Sequence, residues 1–289
     1  MRCYLATLAL IICLAALAGS APLSPPAGTG QQPTDVKFSE SAEAAAAERQ
    51  KQIEFELATL PAHPWAGSYF FGDGLGVNVR LSPAPKSGFV FAWNGCLGLY
   101  DRNYGDVVEK DGKLQLHFTH PNDRHGFRGI APEFLLLLWG DRHYLIPADG
   151  IISFANQINS GREPVNGRYM GSFLLREDDA EKNVRGQPCI PPQYLRYLLA
   201  TPVRAQIIAA KETRDEKCFR TKIVLLNVGA QQRLLQGMKL HVYRPRDVFE
   251  TVEVTNVLDS TAEGKIVEYK SGFKSLWPAI GWKLSTKLE

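Results

Sequence analysis

The sequence predicts a mainly β fold: two small antiparallel β-barrel or meander domains, with an N-terminal helix and a few short helices. Between Gly67 and Tyr100, apolar and polar residues alternate at period two, with Val77, Val79 and Leu81 against Asn78, Arg80 and Ser82, then Phe89, Phe91 and Trp93 against Val90, Ala92 and Asn94. Glycines at 72, 74, 76, 95 and 98 punctuate these runs as turns. Beyond residue 187 come five more short apolar runs in about 70 residues, a density that fits a small closed or nearly closed barrel.

The N-terminal segment holds Arg2, an apolar run from Tyr4 to Ala18 and the small residues Ala18-Gly19-Ser20-Ala21 before Pro22, the layout of a secretory signal peptide over residues 1–21. The run is short for a membrane span. A retained membrane anchor is the alternative, and Leu10-Ile11-Ile12-Cys13 offers a loose version of a lipid-attachment box. Residues 22–36, rich in Pro, Gly and polar side chains, read as a flexible tether. The expected localisation is therefore periplasmic or secreted. The chain carries 33 basic and 30 acidic residues, a net charge of +3, and loss of residues 1–21 removes Arg2 alone from that balance. Such near-neutrality gives no electrostatic case for a nucleic-acid partner.

Residues 37–60 hold strong helix formers without Gly or Pro. Ala46, Gln50, Ile53, Leu57 and Leu60 make a narrow apolar stripe, richer at its end, which predicts a helix docked by its last two turns and fraying at its beginning. Pro61 and Pro64 end it and open a first β-rich domain, residues 61–186. Within that domain, Tyr100 to Gly105 reads as a turn, Leu114, Leu116 and Phe118 as a strand after the Asp111-Gly112 hairpin, and Glu133 to Trp139 as a strand apolar on both faces, with His143 to Ile146 returning beside it. Ile151, Phe154, Ala155 and Ile158 form one short helix expected to cover an end or side of this barrel, and residues 171–176 supply another strand. Residues 177–192, charged and Pro/Gly-rich, mark the domain boundary. The second domain, residues 187–289, holds the five later runs and ends in an aromatic strap, Phe273, Leu276, Trp277, Ile280, Trp282 and Leu284, that packs on the barrel or touches a membrane interface.

Residues 223–267 carry a resemblance. Val224-Leu225-Leu226-Asn227-Val228-Gly229, Gln236-Gly237-Met238-Lys239-Leu240, Thr251-Val252-Glu253-Val254 and Gly264-Lys265-Ile266 resemble the small β-barrel module common in bacterial envelope and secretion-associated proteins, with a glycine-marked crossover between strands. Residues 65–118 resemble short lipocalin-like barrels of envelope proteins, although Cys96 alone does not reproduce the paired-cysteine metal motif some of those carry. Neither resemblance implies a reaction.

Candidate chemistry is sparse. His117, His120, Asp123 and His125 are the clustered metal-capable side chains, but Arg124 among them opposes a cation and a solvated strand-to-loop junction explains them as well. Cys96, between glycines, invites a nucleophile reading with one of the histidines His117, His120 and His125 as base, yet no orienting residue or oxyanion site accompanies it. Asp73 and Asp101 stand near glycine-rich turns, where carboxylates commonly bond their own backbone. Gly72-Asp73-Gly74-Leu75-Gly76 lacks the glycine order of a dinucleotide loop, so no cofactor is expected. Of the mature cysteines, Cys189 and Cys218 are the candidate disulfide pair, with three buried thiols as the alternative. Three functions remain in order of preference: an exported non-enzymatic binding or envelope-interaction protein, its partner an envelope protein or small ligand; an envelope hydrolase using Asp73, Cys96 and His120; and a metal chaperone or sensor using His117, His120 and His125.

Overall fold

The structure is a computed structural model that describes residues 40–74, 76–120, 130–165, 173–214, 220–246, 248, 250–268 and 278–289. The signal-like segment, the tether, Asp123, His125, Cys218, Phe273, Leu276 and Trp277 lie outside the described residues. Among those described, no helix is long and apolar enough to cross a membrane. The chain divides into two units, residues 40–151 with 165–191, and residues 152–164 with 192–289.

Period-two alternation gives each strand of the first unit one apolar face, and eight such strands bury that face by closing on themselves. They are β1 (Tyr69–Gly72), β2 (Val77–Ala84), β3 (Gly88–Gly95), β4 (Gly98–Lys110), β5 (Lys113–Phe118), β6 (Glu133–Trp139), β7 (Arg142–Ile146) and β8 (Leu174–Arg176). Each runs antiparallel to the next, and β8 pairs with β1 to complete an up-and-down barrel. One register row reads Tyr69, Leu81, Phe91, Asn103 across β1 to β4. Tyr69, Phe71, Leu81, Phe89, Phe91, Leu114, Phe134 and Leu145 all belong to one buried cluster. These side chains fill the positions that a larger barrel would leave to a ligand.

The stretch 100–105, expected as a turn, is the middle of the 13-residue β4. Its turn-forming residues serve the sheet instead. Asn103 faces inward and is satisfied by neighbouring backbone, its amide donating to His120 O at 3.0 Å and its oxygen accepting from Tyr104 N–H at 2.9 Å. At Gly105 a Cβ would stand 1.9 Å from His117 O, so the close pairing of β4 with β5 requires glycine.

The N-terminal helix, α1 (Glu40–Thr59), lies against β2, β3 and β4. Ile53 is fully buried, and Leu57 and Leu60 pack on the barrel cluster. Arg49 donates to Gly105 O at 2.6 Å and pairs with Asp106 at 3.1 Å, while Glu56 accepts from the N–H groups of Lys86 and Ser87 at 3.0 and 2.8 Å. The expected fraying at its start does not match the structure: Ala42 is buried and Glu43 ion-pairs with Arg102 of β4.

The second unit is a closed barrel of six strands: β9 (Arg204–Arg214), β10 (Arg220–Leu226), β11 (Lys239–Arg244), β12 (Thr251–Val257), β13 (Ala262–Glu268) and β14 (Lys283–Ser285). Their order around the barrel is β10-β13-β12-β11-β14-β9. The sequence reading has five strands here; the sixth, β14, comes from the C-terminal strap and closes the barrel between β11 and β9, with Leu284 fully buried and Trp282 nearly so. At the crossover in Asn227-Val228-Gly229, a Cβ on Gly229 would meet Leu258 O at 2.2 Å, and Ala230 N–H donates to that same carbonyl at 2.8 Å. The glycine that marks the motif is thus needed for close backbone approach.

The short helix α2 (Ile151–Asn159) groups with this second unit and not with the first barrel, where the sequence places it. Its polar side chains decide the matter. Asn156 donates to Gly237 O at 2.9 Å and accepts from Lys239 N–H at 3.1 Å; Asn159 donates to Tyr197 O at 2.8 Å and accepts from Leu199 N–H at 3.0 Å.

Candidate functional site

The two ends of the first barrel differ in chemistry. At one end the β1–β2 turn and the β3–β4 hairpin stand side by side, because Val77 pairs with Gly95. This brings Asp73 and Cys96 onto neighbouring turns. Asp73 is committed to its own turn, Oδ1 accepting from Gly76 N–H at 2.8 Å. The exposed Cys96 places Sγ 3.5 Å from the hydroxyl of Tyr100, whose ring meets Trp93 edge-on at 5.7 Å. From that hairpin tip Leu97 projects with 87% of its surface exposed, and Leu99 with 45%.

Asp101 and His120 do not join them. Asp101 is buried opposite Trp93 on β4, its Oδ1 accepting from Arg102 N–H at 2.8 Å. His120 sits beside Asn103 and stacks edge-on with Tyr104 at 5.5 Å. Five residues along β4 separate Asn103 from Gly98, roughly 16 Å at the strand rise. His117 is exposed opposite Asp106. Among the described residues no three His, Cys, Asp or Glu side chains are grouped to hold a metal. Cys189 is an exposed free thiol whose backbone N–H donates to Leu138 O of β6 at 3.0 Å, and its suggested partner Cys218 is outside the described residues.

The opposite end carries a titratable cluster that the sequence reading missed. There β1 begins, β8 ends and β7 begins, so Tyr69 lies opposite Arg176, and the β7–β8 register sets His143 beside it. A 3-10 turn, Glu177–Asp179, then swings Asp179 inward until it is fully buried. Asp179 accepts from His143 N–H at 2.8 Å, His143 Nδ1 at 2.7 Å and Lys182 Nζ at 2.5 Å. Burial alone would raise its pKa, but the hydrogen bonds from Lys182 and His143 outweigh that and hold it below the ordinary carboxylate value. Burial pushes His143 down, against the pull of the Asp179 bond, so the imidazole is neutral at pH 7. An ionised Asp179 beside a neutral ring fixes the proton on Nδ1 and leaves Nε2 as the acceptor.

Arg176 completes the cluster. It donates to His63 O at 2.9 Å and the Tyr69 hydroxyl at 3.3 Å and lies over the Tyr69 ring at 5.6 Å. Tyr69 in turn donates to Trp65 O at 2.9 Å, and burial raises its pKa to about 12. Desolvation and the Arg176 charge lower His63. An Asp-oriented neutral histidine is the geometry of a general base. Asp179 is its one side-chain hydrogen-bond partner among the described residues, so no hydroxyl or thiol is aligned for activation. As built, the cluster ties the segments entering and leaving the barrel to its strands.

These features define a protein of two closed antiparallel barrels, an eight-stranded up-and-down barrel and a six-stranded one. Comparison with protein-family models, curated proteins and solved structures finds no match.

Proposed function

We propose that this chain is an exported, non-enzymatic binding protein that meets an envelope protein or small ligand through the Cys96–Tyr100 hairpin of its first barrel, with the second barrel as a structural module. The exposure of Leu97 and Leu99 at that hairpin carries the reading. Apolar side chains held out by a rigid two-stranded turn are solvated at a cost that a partner removes, and loops on a rigid scaffold are where binding residues concentrate. The signal-like N-terminus supports export, and the resemblances to small envelope-associated and lipocalin-like barrels support an envelope role. Hydrolysis has less support, because Asp73 bonds its own turn and His120 sits far along β4 from Cys96. The test is co-isolation from native envelope extracts with wild type, the pair Leu97→Asp and Leu99→Asp, and Val108→Asp at an exposed position elsewhere on β4. The reading expects a stoichiometric partner that the hairpin pair loses and Val108→Asp keeps. Equal recovery by all three contradicts it.

A further inference from the structure

Among the described residues, one buried group inside the six-stranded barrel has no hydrogen-bonding counterpart. Lys222, Val224 and Leu226 on β10, Val252 and Val254 on β12, and Ala262 and Ile266 on β13 are buried at alternating positions and face inward. Glu250, two residues before Val252, extends the same parity; it is fully buried, and neither carboxyl oxygen has a hydrogen-bond partner among the described residues. Its backbone is held, with Val242 N–H donating to Glu250 O at 2.9 Å, and the next residue, Thr251, bonds His241 Nδ1 at 3.1 Å.

The register places buried aliphatic residues around Glu250: Val242 of β11 opposite it, Val252 two residues on along β12, then Leu284 of β14 paired with Val242 and Ile266 of β13 paired with Val252. The register puts Lys222 beside Ile266, which pairs with Val252, and sets Glu212 of β9 opposite Lys222. Among the described residues, Lys222 is the charged group whose field reaches Glu250. Because no part of Glu250 is exposed, a proton is the ligand it can exchange from the closed state.

We propose that Glu250 is a proton-operated latch on the β11–β12 pairing: carrying its proton the carboxyl stays packed among aliphatic side chains, and when the proton passes to solvent the carboxylate moves toward water and releases Glu250 and Thr251 from β11. Burial raises the Glu250 pKa above the ordinary value of 4.5, and Lys222 only partly offsets that. The closed form is therefore complete below 4.5 and is lost as pH rises through the higher folded value.

Amide exchange of the full chain, corrected for intrinsic rates, tests the latch between pH 4 and pH 9. Val242 N–H should lose at least tenfold in protection as pH rises, while Val224 N–H, on β10 of the same barrel, keeps its own. Glu250→Gln should hold Val242 protected throughout. Lys222→Met should shift the wild-type midpoint upward, which keeps the test decisive should Glu250→Gln fail to fold. An identical pH dependence in Glu250→Gln, equal loss at Val224, or a midpoint unmoved or lowered in Lys222→Met overturns the proposal.

Discussion

Two buried carboxyls, Asp179 and Glu250, show how partners decide what burial does to an acid. Asp179 receives three donors and stays ionised, whereas Glu250, with no donor among the described residues, is pushed by burial toward its neutral form. Replacing Asp179 with Asn should cost about 2 kcal/mol at pH 7, because it weakens charge-assisted bonds and strands a donor. Its folded pKa is depressed, so this stability is complete above the unfolded value of 3.8 and is lost as pH falls through the folded one. Denaturant midpoints of wild type and Asp179→Asn should differ clearly at pH 7 and converge in strong acid; a gap of the same size at both would show that the bonds do not depend on ionisation. The role of Asp179 could not be read in advance. It is one of three consecutive acids, Glu177-Asp178-Asp179, and only the 3-10 turn decides which of them points inward. Asp73 was more legible, since a short carboxylate between turn glycines has its own backbone within reach.

Helix α1 was legible as an element because its sequence lacks breakers and Ile53 falls in a helical stripe. Its docked first turns were not, since they depend on the ion pair between Glu43 and Arg102, far apart in sequence. Ile53→Ala should lower stability by about 3 kcal/mol, as truncations of fully buried aliphatics do. Phe55→Ala, at a position 75% exposed, should change it by less than about 0.5 kcal/mol. Comparable losses from both in urea denaturation would mean that the helix packs by another face. The strands were legible where alternation is clean, as in β2 and β3. β4 was misread because Asp, Asn and Gly are turn formers locally, while inward-facing Asn103 and close-packed Gly105 are acceptable in a strand once β5 supplies partners. β14 is three residues long and has no period to read. Deleting residues 282–289 should leave β9 and β11 with unpaired edges and make the chain aggregate in gel filtration, whereas a monodisperse truncated protein would show that β14 is dispensable.

At the scale of the molecule, the mainly β, two-barrel architecture follows from short alternating runs and frequent turns, which suit strands that bury one face by closing into barrels and leave no open edge. What alternation does not encode is which strands meet at closure or which unit keeps an excursion such as α2; both rest on contacts remote in sequence. The N-terminal pattern predicts that the mature chain in its native host begins between about Gly19 and Pro22. Intact-mass measurement checks this, and a cytoplasmic form retaining Met1 to Ala18 as the major species would count against export. The central claim, that the Cys96–Tyr100 hairpin is the partner-binding element, is tested most directly by site-specific photo-crosslinking in the native host. A crosslinking residue at Leu97 should give one discrete adduct and the same residue at the exposed Phe55 should give none; equal adducts from both positions, or none from Leu97, would contradict it.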